Sequence, residues 1–186
     1  YWVYGADGWI FNLPAHDFAG GTAIHVNAGA AALALVIVLG KRTGWPQNRP
    51  APHNIPFVML GAGILWFGWF GFNAGSALAA NGGAAQAFVN TFIAGAAGMV
   101  AWMIVEMAKT GKVSTIGMAS GVVAALVAIT PAAGFVGSMH SFVFGALAGI
   151  ICFYAIEAKF RFGFDDSLDV VGIHLVGGIV GGILLG

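Results

Sequence analysis

All seven lysines and arginines of this 186-residue chain fall in three connections, and six long apolar runs lie around and between them. The runs cover 19–40, 55–80, 86–108, 115–131, 136–158 and 167–186. Each is close to the ~20 mostly apolar residues that a membrane-crossing helix needs. Only 8% of residues are charged, against about 25% in soluble domains. A chain so short of charge cannot coat a water-facing surface, so a lipid bilayer is its solvent. The 30 glycines fit this reading. Glycine weakens a soluble helix, but in a membrane it lets helix backbones approach closely. The expected fold class is therefore an all-α polytopic membrane protein with six transmembrane helices, the fourth run ending at Pro131.

The basic residues also set an orientation. Lys41, Arg42 and Arg49 lie between runs one and two, Lys109 and Lys112 between three and four, and Lys159 and Arg161 between five and six. Alternate connections share a side, so all seven share one, and the positive-inside rule makes that side cytoplasmic. A plasma or inner membrane location follows. The formal net charge is zero and gives no sign of a nucleic-acid partner. Cys152, alone in an apolar run, excludes an intrachain disulfide. The chain opens on aromatics with neither a starting Met nor a signal-peptide pattern. It reads as a fragment of a longer polypeptide, with residues 1–12 as the tail of an earlier helix followed by a loop.

Two segments five runs apart share a pattern. Asp17-Phe-Ala-Gly-Gly-Thr-Ala-Ile-His25 and Asp166-Ser-Leu-Asp-Val-Val-Gly-Ile-His174 each place an Asp eight residues before an Ile-His pair. Ala28 and Gly29, then Gly177 and Gly178, follow at i+3 and i+4, on the histidine's own helix face. Five is odd, so the segments point in opposite directions, as in an inverted-topology repeat. Eight helical residues rise about 12 Å, somewhat under half of a ~30 Å hydrocarbon core. With each Asp as an N-cap at its own membrane face, both histidines arrive near the midplane. Two buried, hydrogen-bonded structural histidines are the plain alternative. Inside a membrane an ionisable group is expensive and points first to function.

The repeat, the orientation and a third motif, Phe67-Gly-Trp-Phe-Gly-Phe-Asn-Ala-Gly-Ser76, together resemble the ammonium transporter (Amt/Mep/Rh) family, in its bacterial Amt form. Pro52-His-Asn54, Phe88-Val-Asn-Thr91 and Thr130-Pro131 also match, so the resemblance covers essentially the whole chain. It implies a homotrimer of eleven-helix subunits built from two inverted five-helix repeats, each subunit with its own pore. On that map residues 1–186 form a partial transporter domain supplying helices five to ten. His25 and His174 look like the twin pore histidines, and Phe72 like one of two stacked phenylalanines gating the outer pore. Ser76 looks like the hydroxyl of an outer ammonium-recruitment site, and Tyr4 falls where many members carry a tryptophan. Asp17 and Asp169 resemble structural and electrostatic acids near the outer and inner ends. The resemblance implies no enzyme activity, cofactor or metal. It suggests regulation by a PII-type signalling protein at the cytoplasmic face.

These residues permit a definite chemistry. A cation in mid-bilayer costs roughly 2.5–3.5 kcal/mol or more, whereas ammonia is neutral. Aromatic faces attract ammonium by about 0.5–2 kcal/mol, a hydroxyl accepts its hydrogen bond, and linked imidazoles can relay its proton. Methylammonium would serve as an analogue. Trp66, Phe67, Trp69 and Phe70 are expected to pack or face lipid, and Glu106 and Glu157 to sit at the membrane interface. His16 and His53 read as loop residues, and His140 lies near an outer helix end. Gly177-Gly-Ile-Val-Gly-Gly182 reads as helix packing, since neither a strand nor a Lys-Ser/Thr pair accompanies it. Three other functions remain open at this point. They are a transporter-derived ammonium sensor, a b-type cytochrome with His25 and His174 as axial haem ligands, and an intramembrane serine protease using Ser120 with His174.

Overall fold

A computed structural model describes residues 1–13, 15–48 and 51–186, so Arg49 lies outside the described residues. Among the described residues six helices follow in order, matching the six runs. They are α1 (Gly21–Leu39), α2 (Ile55–Gly75), α3 (Gly82–Thr110), α4 (Thr115–Ile129), α5 (Ser138–Phe162) and α6 (Val171–Leu185). Among the described residues there is no strand. Local chemistry sets several ends. The side chains of Asn54, Asn81 and Ser114 accept the amides of Phe57, Ala84 and Gly117 at 3.0, 3.0 and 2.9 Å, satisfying N–H groups that a helix start leaves orphaned. Gly111 and Gly163 close α3 and α5 in left-handed conformations, which glycine adopts without steric cost. Lys109, Lys159 and Arg161 therefore lie in the last helical turns rather than in connections, where the helix dipole favours cations.

Four helices, α1, α2, α3 and α5, are long and apolar enough to cross a membrane, while α4 and α6 are shorter. At 15 residues, α4 rises only about 22 Å. It ends at Ile129, just before Thr130-Pro131, and residues 130–135 continue as turns. Thr130, Ala132 and Ala133 in that stretch are fully buried. Non-helical backbone at membrane depth is tolerable only inside protein, and here its carbonyls have partners. Phe18 N–H donates to Pro131 O at 2.8 Å, and Asn90 Nδ2 donates to Ala133 O and Val136 O at 2.9 and 2.6 Å. The second run was expected to reach residue 80 but stops at Gly75, and the sixth begins at 171 rather than 167. Residues 1–13 form hydrogen-bonded turns instead of a helix tail. Gly5 and Gly8 fold so tightly that a Cβ on either would lie within 3 Å of a carbonyl oxygen of Tyr1 or Trp2.

The centre is α3 packed against α4 and α5. Gly145 and Gly149 on α5 meet Ala94 and Gly98 on α3. A Cβ added at either glycine would stand 2.2 Å from Ala94 O or 2.5 Å from Gly98 O. Small residues four apart on both helices allow this approach, and dispersion between backbones rewards it. Trp102, Leu126, Val127 and Cys152 fill the space beside them. By contrast α2 buries Trp69 and Asn73 and exposes Phe57, Leu60, Ile64 and Phe67.

Candidate functional site: a histidine pair between crossing helices

Asp17 starts the site. Its two carboxylate oxygens accept the amides of Gly20, Gly21, Thr22 and Ala23 at 2.9, 2.6, 3.0 and 3.0 Å. These are the orphaned donors at the start of α1, gathered on one charge. Gly20, at φ 109°, turns the chain so that all four amides converge. The first turn of α1, Gly21–Val26, is π-helical and carries His25. The first turn of α6, Val171–Leu175, is π-helical too and carries His174. Such wide turns recur at functional sites, and here the two repeated segments share one.

The helices cross in opposite senses. A Cβ on Gly29 would stand 2.3 Å from Leu175 N, and one on Gly178 would stand 2.9 Å from Gly21 O and from Val26 Cγ2. As numbers fall along α1 they rise along α6, so the pair is antiparallel. The contact is reciprocal, because the glycine four residues after each histidine receives the residue that follows the other. The crossing brings the imidazoles together, with His174 Nδ1 and His25 Nδ1 3.2 Å apart. One Nδ1 therefore donates and the other accepts. His25 is 4% exposed, and its Nε2 is buried without a hydrogen-bond partner among the described residues.

Phe72 lies 5.7 Å from His25, ring centre to ring centre. Ser76, one turn on, donates its hydroxyl to Phe72 O at 2.7 Å, which leaves its lone pairs as acceptors. Trp69 stands closer to His25 than Phe72 does, stacked at 5.1 Å and 12°, and its Nε1 donates to Thr130 Oγ1 at 3.1 Å. It is a packing residue, as expected, but its packing partner is the histidine itself. The signal was present in the spacing, since Trp69, Phe72, Asn73 and Ser76 follow i, i+3, i+4, i+7 on one face of α2. Asn73 donates to Thr91 Oγ1 at 3.0 Å, tying this face to α3. Tyr4 lies half exposed in the N-terminal turns, beside Asp17. Partial burial and the neighbouring Asp17 carboxylate push its hydroxyl up to about 12.

At the other end the acids divide their work. Asp166, not Asp169, caps the turn before His174, its carboxylate accepting Val171 N–H at 2.7 Å. Asp166 is the repeat partner of Asp17 in the sequence. Asp169 instead pairs with Lys159, whose ammonium also donates to Asp166 O at 2.9 Å. Asp165 binds Arg42 through the backbone amide at 2.8 Å, Nε at 2.7 Å and Nη2 at 2.7 Å. The Arg42 hydrogen bonds hold the Asp165 carboxyl below its ordinary range. The basic connections after α1 and within α5–α6 are thus joined on one side of the molecule.

The haem reading does not fit. Metal–imidazole bonds run about 2.0–2.1 Å, so nitrogens on opposite sides of one ion stand about 4 Å apart. These two are 3.2 Å apart and in contact. For the protease reading, His174 Nδ1, the nitrogen that an orienting acid holds in a serine triad, meets His25 instead.

Residues 1–186 match the sequence profile of the Ammonium Transporter Family. The chain is 57% identical over 194 residues to an ammonium transporter of Mycobacterium tuberculosis, covering 100% of this chain and 41% of the relative. Among solved structures it is similar to Mep2 from Candida albicans, at 43% identity and TM-score 0.90, covering 97% of this chain and 41% of that one. It is also similar to a protein described as a sensor Amt protein, at 30% identity and TM-score 0.87, covering 98% and 48%. The chain spans less than half the length of the relatives it matches. With a family profile matched from end to end, and relatives that share its helices at close to half identity or better, the chain belongs to the ammonium transporter family.

Proposed function

We propose that the protein to which this chain contributes moves ammonium across a membrane, and that this chain supplies the inner walls of the conduit. The observation that carries the reading is the pair of imidazoles in contact between antiparallel helices, one of them buried with a free nitrogen. Ammonium is first held outside by aromatic faces, Tyr4 among them, and by the acceptor lone pairs of Ser76. Potassium donates no hydrogen bonds, which gives some discrimination at that hydroxyl. Phe72 narrows the passage and keeps water out. The proton passes to an imidazole nitrogen, such as the unpartnered Nε2 of His25, ammonia passes the histidines, and their Nδ1–Nδ1 hydrogen bond hands the proton from ring to ring. Asp17 and Asp169 are structural and electrostatic acids here, holding the histidine-bearing turns. The basic connections face the cytoplasm, where a PII-type regulator would dock, and the assembly is a homotrimer with a pore in each subunit.

Methylammonium uptake with simultaneous current recording on the complete protein tests this. Transport is expected in the wild type, with altered conductance or selectivity in His25→Ala and His174→Ala. Unchanged flux and selectivity in both variants would overturn the relay. The likeness to the sensor Amt protein favours a second reading, in which the same site binds ammonium and reports it. Saturable ammonium binding without flux or current would decide for the sensor.

A further inference from the structure

We infer that Lys159, on α5, is a positioning residue for His174, holding the turn before α6 so that the imidazole meets His25. The inference rests on the transport reading for its consequence, but not for its geometry. Lys159 lies in the last turn of α5, where a lysine ordinarily reaches into water and favours the helix dipole. Here its side chain is only 13% exposed. Its ammonium donates to Asp166 O at 2.9 Å, pairs with the Asp169 carboxylate and sits 5.3 Å from the centre of the Phe160 ring. Both oxygen partners lie in the short segment that leads into the π-helical turn of His174.

From there the hold passes to the histidine in two steps. The carboxylate of Asp166 accepts Val171 N–H at 2.7 Å, and the carbonyl of Asp169 accepts Ile173 N–H at 2.9 Å. Ile173 directly precedes His174. Asp169 itself is left-handed, at φ 58°, a conformation uncommon outside glycine, although Asp adopts it more readily than most residues. Lys159 is the tie that anchors this residue to α5. The neighbouring acids have other partners, since Arg42 takes both oxygens of Asp165 and Val171 takes Asp166. The two halves of the repeat thus differ. Asp17 orders the turn of His25 with one carboxylate and four amides, whereas the turn of His174 depends on a base from another helix.

The complete protein is prepared as wild type, Lys159→Met, Lys159→Arg, Asp169→Gly and a control, Lys112→Met in the connection between α3 and α4. The imidazole 15N signals of the labelled histidines are measured together with KM and Vmax for methylammonium uptake. Lys159→Met is expected to move the histidine signals and to lower Vmax on the order of tenfold, as small misplacements do, with KM changed less than about twofold. Lys159→Arg should restore both, and Lys112→Met should match the wild type. Asp169→Gly removes the same pair while tolerating the left-handed backbone, and decides the matter if Lys159→Met does not fold. Histidine signals unchanged in a folded Lys159 or Asp169 variant, or no rescue by arginine, would overturn the inference. A wild type without uptake would sink the transport reading alone, and the histidine signals would still decide on Lys159.

Discussion

Asp17 carries more of the local structure than an ordinary helix cap, which satisfies one amide. It holds four, and a charged acceptor makes each bond stronger than a neutral one. Replacing it by alanine leaves those donors without a partner in a partly buried site. The expected cost is about 3 kcal/mol, above the usual cap because hydrogen bonds to charged groups contribute about 1.5–3 kcal/mol each and the four are not additive. Denaturant unfolding of the complete protein in micelles measures it, and a loss below that of a single cap would show that solvent replaces the carboxylate. Asp17 also acts on Tyr4. Burial first, and the Asp17 carboxylate after it, push the hydroxyl up to about 12. In Asp17→Asn its ionisation should move down towards the ordinary tyrosine value, as followed by ultraviolet absorbance of the phenolate.

At the scale of helices, the reciprocal glycines set the histidine spacing. Neither Gly29 nor Gly178 can gain a methyl group without displacing backbone of the other helix, because the nearest atoms are Leu175 N and Gly21 O. Gly29→Ala and Gly178→Ala are each expected to cost about 1–3 kcal/mol, the range for overpacking a tight contact, and to lower methylammonium uptake by parting the rings. The double variant should cost less than the sum, since both open one interface. Strict additivity would mean that the helices do not share that contact. Both glycines stood out in the sequence as small residues at i+4 from a histidine. That local pattern fixes the helix face but says nothing of the partner, and Leu175 is far from Gly29 in the chain. The face of α2 was legible in the same way, through Trp69, Phe72, Asn73 and Ser76. The stacking of Trp69 on His25 was not, because nothing in the periodicity of one helix names the ring lying against it.

Across the whole molecule, Arg42 and Asp165 join the connection after α1 to the segment before α6. The Asp165 carboxyl is held below its ordinary range by the Arg42 hydrogen bonds, which outweigh desolvation. The unfolded chain therefore binds the proton more readily than the folded one. This contribution to stability is fully present above the ordinary carboxylate range and is lost as pH falls through the lowered value of the folded state. Asp165→Asn should flatten that acid limb of the stability–pH curve and leave the neutral region parallel to the wild type. An unchanged acid limb would show that the pair contributes nothing to folding.

The sequence alone determined what depends on local composition and period. Six apolar helices, an Asp eight residues before each histidine and a helix break at Thr130-Pro131 all follow from neighbours along the chain. Tertiary structure decided what depends on which distant segments meet. His25 and His174, 149 residues apart, touch only because two glycines let α1 and α6 cross. Asp169, three residues beyond the capping Asp166, pairs with Lys159, which arrives on α5. The turns at 130–135 remain non-helical in the interior because Phe18 and Asn90 reach their carbonyls. Local pattern fixes how a helix forms and which face it offers. Hydrogen bonds and close packing between helices fix which donor, ring or carboxylate that face meets, and pattern along one chain segment cannot encode a partner it does not contain.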